Sequence, residues 1–114
     1  MSILMQEESI MKISKKTNPY LESTADRYVS KDKPVYSLST SVDIQYVWEN
    51  NRPTSEIKDY RLWFAQEGLP PFAVKFYTEP VAPKFLAKVN FEKLAGLEMK
   101  SNVFFQADRV MEVK

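Results

Sequence analysis

The stretch VDIQYVWENNRPTSEIKDYRLWFAQEGLPPFAVKFYT, residues 42–78, decides how the chain reads. Two turn signals, Asn50-Asn51-Arg52-Pro53-Thr54 and Glu67-Gly68-Leu69-Pro70, divide it into three segments of alternating apolar residues. That is the pattern of an antiparallel meander. Successive strand side chains point to opposite faces. Val42, Ile44, Tyr46 and Trp48 therefore share a face of the first strand, Tyr60, Leu62 and Phe64 of the second, and Phe72, Val74 and Phe76 of the third. Pairing Tyr46 with Tyr60 and Leu62 with Val74 puts all ten on one face and predicts them as core. A slip of one residue would turn a whole strand's apolar set into water, so this register is strongly specified. Gln45, Arg61, Trp63, Lys75 and Tyr77 are left on the opposite face, a mixture of cations and flat rings.

Working outward, Val35, Tyr36 and Leu38 after Pro34 suggest a lead-in strand that bends at Ser39-Thr40-Ser41 into the first long strand. Such a bend suits a small sheet curling into a barrel. On the other side, Pro80 and Pro83 forbid regular ladder pairing and mark a crossover. Phe85, Ala87 and Val89 then alternate as a fourth strand reaching Phe91. A turn is expected around Ala95-Gly96, or one turn of helix between Glu92 and Met99. A closing strand over residues 102–113 places Val103, Phe105 and Ala107 on one side, with a bulge near Asp108-Arg109. The expected fold is all-β: a small five- to six-stranded antiparallel barrel, OB-fold-like, with an SH3-like barrel or a compact sandwich as alternatives.

Residues 1–33 read as a loosely ordered N-terminal arm, and residues 34–114 as the barrel domain. Within the arm Lys12, Lys15 and Lys16 form a basic cluster, a helical turn is expected around Glu22 to Tyr28, and Tyr20, Leu21, Tyr28 and Val29 are its anchors. The short apolar run in residues 1–10 has no basic residue before it and is followed by Glu7 and Glu8, which is not the pattern of a secretory signal. No apolar run approaches the ~20 residues of a membrane-spanning helix. A soluble cytoplasmic protein is the expectation.

Chemistry is constrained by what the 114 residues lack. There is no cysteine and no histidine, which removes thiolate catalysis, the commonest metal ligand and the usual proton shuttle. Gly68 and Gly96 are the only glycines, so there is no phosphate-binding loop. Serines and carboxylates without a positioned base do not make a catalytic set. The expectation is a protein that is not an enzyme and needs no cofactor or metal. A formal charge of +1 means that any nucleic-acid binding must rest on local placement of charge. Trp63 and Tyr77 beside Arg61 and Lys75 supply the rings and cations that hold single strands. Gln45, Lys84 and Lys88 extend that candidate site. The same residue types dominate protein hot spots, so a packed second core or a protein-binding face is the competing reading.

The phrases Tyr46-Val47-Trp48-Glu49-Asn50-Asn51-Arg52-Pro53-Thr54, Tyr60-Arg61-Leu62, Phe72-Ala73-Val74-Lys75-Phe76, Val89-Asn90-Phe91-Glu92-Lys93-Leu94 and Val103-Phe104-Phe105-Gln106-Ala107-Asp108 resemble small proteins carried by Gram-positive phages, plasmids and conjugative elements. The likeness spans about residues 41–113, and some of that group resemble OB-fold single-stranded DNA-binding proteins. The resemblance implies a DNA-binding accessory protein of replication or conjugative transfer in which Arg61, Trp63, Lys75 and Tyr77 touch DNA; a homo-oligomer is expected because one short groove holds few nucleotides. The alternative is an inhibitor of a host or defence protein that uses the same aromatic face or an open strand edge.

Overall fold

The structure, a computed structural model, describes residues 19–113. The apolar run of residues 1–10 and the Lys12, Lys15 and Lys16 cluster lie outside the described residues. After a short helix, α1 (Glu22–Asp26), come eight strands: β1 (Val35–Ser37), β2 (Asp43–Glu49), β3 (Arg52–Gln66), β4 (Phe72–Phe76), β5 (Lys88–Glu92), β6 (Ala95–Met99), β7 (Asn102–Gln106) and β8 (Arg109–Glu112). The protein is mostly β and its one sheet is curled. The sheet runs β6-β7-β4-β3-β1-β5-β8, with β2 also paired to β3.

The meander forms where the sequence places it. Asn50 and Asn51 both take positive φ, 52° and 63°, as a two-residue hairpin turn demands of residues that tolerate the left-handed region. Gly68 at φ 94° serves the second turn. Leu62 pairs with Val74 as expected. The first hairpin differs: Ile44, not Tyr46, faces Tyr60, and Tyr46 faces Ile57. The cause is two register shifts, between Gln45 and Tyr46 and between Tyr46 and Trp48, where β3 accommodates extra residues.

The expected ten-residue core is corrected by the length of β3. Its C-terminal half pairs with β4 over Tyr60–Phe64 and with β1 over Phe64–Gln66, whereas among the described residues Arg52–Asp59 has only β2 beside it. The β2–β3 ribbon therefore projects past the sheet. Ile44, Tyr46 and Trp48 are 38%, 39% and 65% exposed instead of buried. Leu62, Phe64, Val74 and Phe76 are fully buried, joined by Phe72, Val89 and Phe105. Phe64 meets Phe91 edge-on with centroids 4.8 Å apart.

The number and direction of strands also differ from a five- to six-stranded antiparallel barrel. Val74 pairs with Phe105 in parallel, so β4 and β7 break the antiparallel rule. Phe85 and Leu86 form a turn rather than the start of a strand, Leu86 at φ 67°. Ala95-Gly96 lies in β6 and not in a turn; the reversal comes later, at Lys100-Ser101 with Lys100 at φ 57°, and Lys93, also at φ 57°, marks only a bend. The expected bulge near Asp108 is a full break between β7 and β8. The pairing nevertheless keeps step, from Glu92 with Arg109 to Ala95 with Gln106, so β5–β6 and β7–β8 form one long hairpin bent in its middle. At that bend Ala107 N–H donates to Lys75 O and the next residue, Asp108, donates to Glu92 O. One dipeptide thus ties β4 to β5, which the sheet can manage only by curling.

The segment before β1 is more firmly attached than loose docking implies. Ala25 and Val29 are buried in the core. The buried Gln66 side chain accepts from Ser30 N–H and donates to the carbonyls of Ser30 and Lys33, at 2.9, 2.7 and 3.0 Å. Leu21 and Gly96 exchange backbone hydrogen bonds of 2.9 and 2.8 Å. A Cβ on Gly96 would sit 3.2 Å from Ala25 N, so glycine permits this approach.

Across the same contact Glu98 accepts from Tyr28 Oη and from Arg27 Nη2. These bonds, the Tyr28 hydroxyl first, hold the Glu98 carboxyl below its ordinary pKa. A depressed carboxylate contributes stability above the unfolded value, about 4.3, and loses it as pH falls through the folded one. The stability gap between the native chain and Glu98→Gln is therefore expected to be open at neutral pH and closed in strong acid. Urea melts of both across that range measure it; a gap that persisted in acid would contradict the sign.

Candidate functional site

Strand alternation places Arg61 and Trp63 of β3 and Lys75 of β4 on the face opposite the core, since Leu62, Phe64, Val74 and Phe76 between them are buried. Register brings them together: Arg61 faces Lys75, and Trp63 faces Ala73. The small Ala73 leaves one side of the indole open. Above these residues lies a groove of about 520 Å³, bordered also by Tyr20, Tyr28 and Phe104. One wall comes from residues 69–73 and the other from residues 101–105 at the start of β7. Trp63 is 43% exposed and Tyr77 63%, so among the described residues no layer covers them.

The Trp63 backbone is held by the neighbouring segment that follows β1. Its N–H donates to Ser39 Oγ at 2.7 Å and its carbonyl accepts from Leu38 N–H at 2.9 Å. The bend at residues 39–41 takes Ser39 out of the ladder, and its hydroxyl replaces the missing carbonyl. This is a rigid mount for a half-exposed ring.

The two cations sit in different surroundings. Lys75 Nζ lies 4.9 Å from the Tyr20 ring centroid and 5.4 Å from that of Tyr77, within cation–π range of both. Burial works against its charge, but hydrogen bonding to Tyr20 and Tyr77 outweighs this and its pKa is raised. Lys75 stays a cation at every physiological pH. Arg61 Nε is 3.3 Å from Oδ1 of Asp59, whose side chain is fully buried. Asp59 Oδ2 accepts no hydrogen bond among the described residues. Arg61 is thus the counter-charge of a buried carboxylate, and its exposed part borders the groove.

The remaining expected site residues are spread out. Tyr77 does not border the groove but lies against Lys75, which does. Gln45 is half-buried opposite Asp59 and does not border the groove. Lys84 lies in the crossover, its N–H donating to Glu112. Lys88 faces Tyr36 in register and borders a separate depression of mixed charge with Asp26, Lys31 and Asp32. Tyr20 and Phe104 were not expected at the site. Phe104 was legible: with Val103 and Phe105 turned inward, alternation turns it outward, and it is 46% exposed. Tyr20 reaches Lys75 only because α1 docks on β6, which no local pattern records.

Fold and site together define a curled β-sheet protein with an open aromatic and cationic groove. Comparison with protein-family models, with curated proteins and with solved structures finds no match. Among the described residues no helix is long and apolar enough to cross a membrane, and no group of three or more acidic side chains is placed to hold a metal ion.

Proposed function

We propose that this chain is a non-catalytic single-stranded DNA-binding protein whose groove stacks bases on Trp63 and draws phosphates to Arg61 and Lys75. The observation that carries the reading is one geometry: a half-exposed indole on a rigid mount that shares its groove with two cations and the exposed ring of Phe104, with Tyr77 against one of those cations, Lys75. Rings and cations in an open groove are what sequence-tolerant single-strand binding requires.

The strand pairing supports an OB-type barrel as the scaffold. Taking β1 with β2 as one bent strand and β5–β6 and β7–β8 as two more, the first strand pairs with the second, the second with the third and the third in parallel with the fifth. The fifth pairs with the fourth, and the fourth returns to the first. In that fold oligonucleotides lie on strands 2 and 3, beside the loops joining strands 1 to 2 and 4 to 5. Here those strands are β3 and β4, and residues 101–104 after the second of those loops form one wall of the groove. A role in replication or transfer of a mobile element rests on the resemblance of the quoted phrases.

Titration with oligothymidine tests the reading. Binding is expected to quench tryptophan fluorescence and to weaken steeply with salt. Trp63→Ala should weaken it by about 1–3 kcal/mol while leaving the thermal melt near that of the native chain. The absence of quenching at low salt would defeat the proposal. One observation favours a protein partner instead: the projecting ribbon exposes Ile44, Tyr46, Trp48 and Ile57, and among the described residues one edge of β2 is unpaired, a template for strand addition.

A further inference from the structure

We infer that Tyr36 is a second base-stacking platform, so that a bound strand crosses the sheet from β4 over β3 to β1 and is not confined to the groove. The inference rests on the single-strand reading above and adds a residue and a path to it. Tyr36 does not border the groove; the sheet register is what relates it to the groove.

Val35 and Ser37 are buried, at 7% and 0%, while Tyr36 between them is 37% exposed, so its ring is on the outer face. Tyr36 faces Ala65 of β3. Trp63 is two residues back along β3 on the same face, which makes Tyr36 and Trp63 diagonal neighbours about 7–8 Å apart at the backbone. A flexible single strand bridges that distance between successive bases. Two residues flank the diagonal: Ala65, whose single methyl faces Tyr36, and half-buried Leu38, whose N–H donates to the Trp63 carbonyl. Ser37 separates Tyr36 from Leu38, and both flank a strand that cannot shift easily, because β1 is paired on both sides, to β3 and to β5.

Charge follows the same line. Lys75 and Arg61 lie on the groove side of Trp63, and Lys88 lies opposite Tyr36 on β5. Cations on β4, β3 and β5 therefore flank two rings on β3 and β1. A backbone laid across the strands meets cations at both ends, whereas one laid along β3 meets them at one end only.

The test uses the full chain and fluorescein-labelled oligothymidine, read by anisotropy. Tyr36→Thr removes the ring but keeps a strand-favouring residue, and Tyr36→Phe keeps the ring without its hydroxyl. Tyr36→Thr is expected to raise Kd by between about 5- and 150-fold, with a native melting profile, and Tyr36→Phe to stay within about twofold, since stacking needs the ring alone. Combined with Trp63→Ala, Tyr36→Thr should multiply the loss. If the native chain binds and Trp63→Ala weakens binding while Tyr36→Thr binds like the native chain, the crossing path is wrong and the groove reading stands. If the native chain does not bind oligothymidine, both fall together.

Discussion

Replacing Phe64 by alanine is expected to cost about 3–5 kcal/mol of folding stability, a large share of what a small domain holds in reserve. Phe64 is fully buried at a junction. Its residue pairs with Ser37 of β1 and with Phe72 of β4, and its ring meets Phe91 of β5 edge-on. The Phe72 ring in turn packs on Phe105 of β7, with centroids 5.3 Å apart. Truncation would open a cavity where four strands converge, and the ladder around it is too constrained to collapse into the space. Because Trp63 is the next residue, oligonucleotide binding should be lost in proportion to the unfolded fraction. Urea denaturation followed by tryptophan fluorescence measures this; a Phe64→Ala chain as stable as the native one would show that the core lies elsewhere.

Arg61→Ala is expected to destabilise the fold by about 2 kcal/mol. Breaking a fully buried ion pair costs about 3–5 kcal/mol, because a charge is left in the interior without its partner. Asp59 is fully buried but the Arg61 side chain is 41% exposed, so solvent screening takes part of that away. Asp59→Asn removes the charge that would be stranded, and Arg61→Ala in that background should cost markedly less than in the native chain. Denaturant melts of the two single variants and the double variant decide it, and equal costs in both backgrounds would rule out the pair as the reason. The cycle also matters for function. Arg61→Ala alone confuses lost phosphate contact with a weakened fold, whereas binding compared within the Asp59→Asn background separates them.

Local patterns made much of this protein legible. Alternation assigned Leu62, Phe64, Val74 and Phe76 to the core and Arg61, Trp63 and Lys75 to the opposite face, and the Leu62 to Val74 register follows from matching those patterns. The turn at Asn50-Asn51 was readable because few residues accept two successive positive φ values. The same alternation misled at Ile44, Tyr46 and Trp48. An apolar row records which side chains share a face, not whether anything packs against it, and among the described residues no third strand or second layer reaches the outer half of the β2–β3 ribbon. Lys93 was unreadable for another reason: lysine in the left-handed region has no sequence signature, so the bend that divides the last hairpin was hidden.

Taken alone, the sequence determined a β-rich chain without thiol, imidazole or phosphate-loop chemistry, and the parity that turns Trp63 and its cationic neighbours away from the core. These depend on side-chain identity and a two-residue period, both of which are local. Tertiary structure decided the rest: that β4 and β7 run parallel, that Tyr20 closes on Lys75, that Asp59 is buried under Arg61, and that Tyr36 lies diagonal to Trp63. Each of these is set by which distant segments become neighbours when the sheet curls, and an alternating pattern carries no information about that choice.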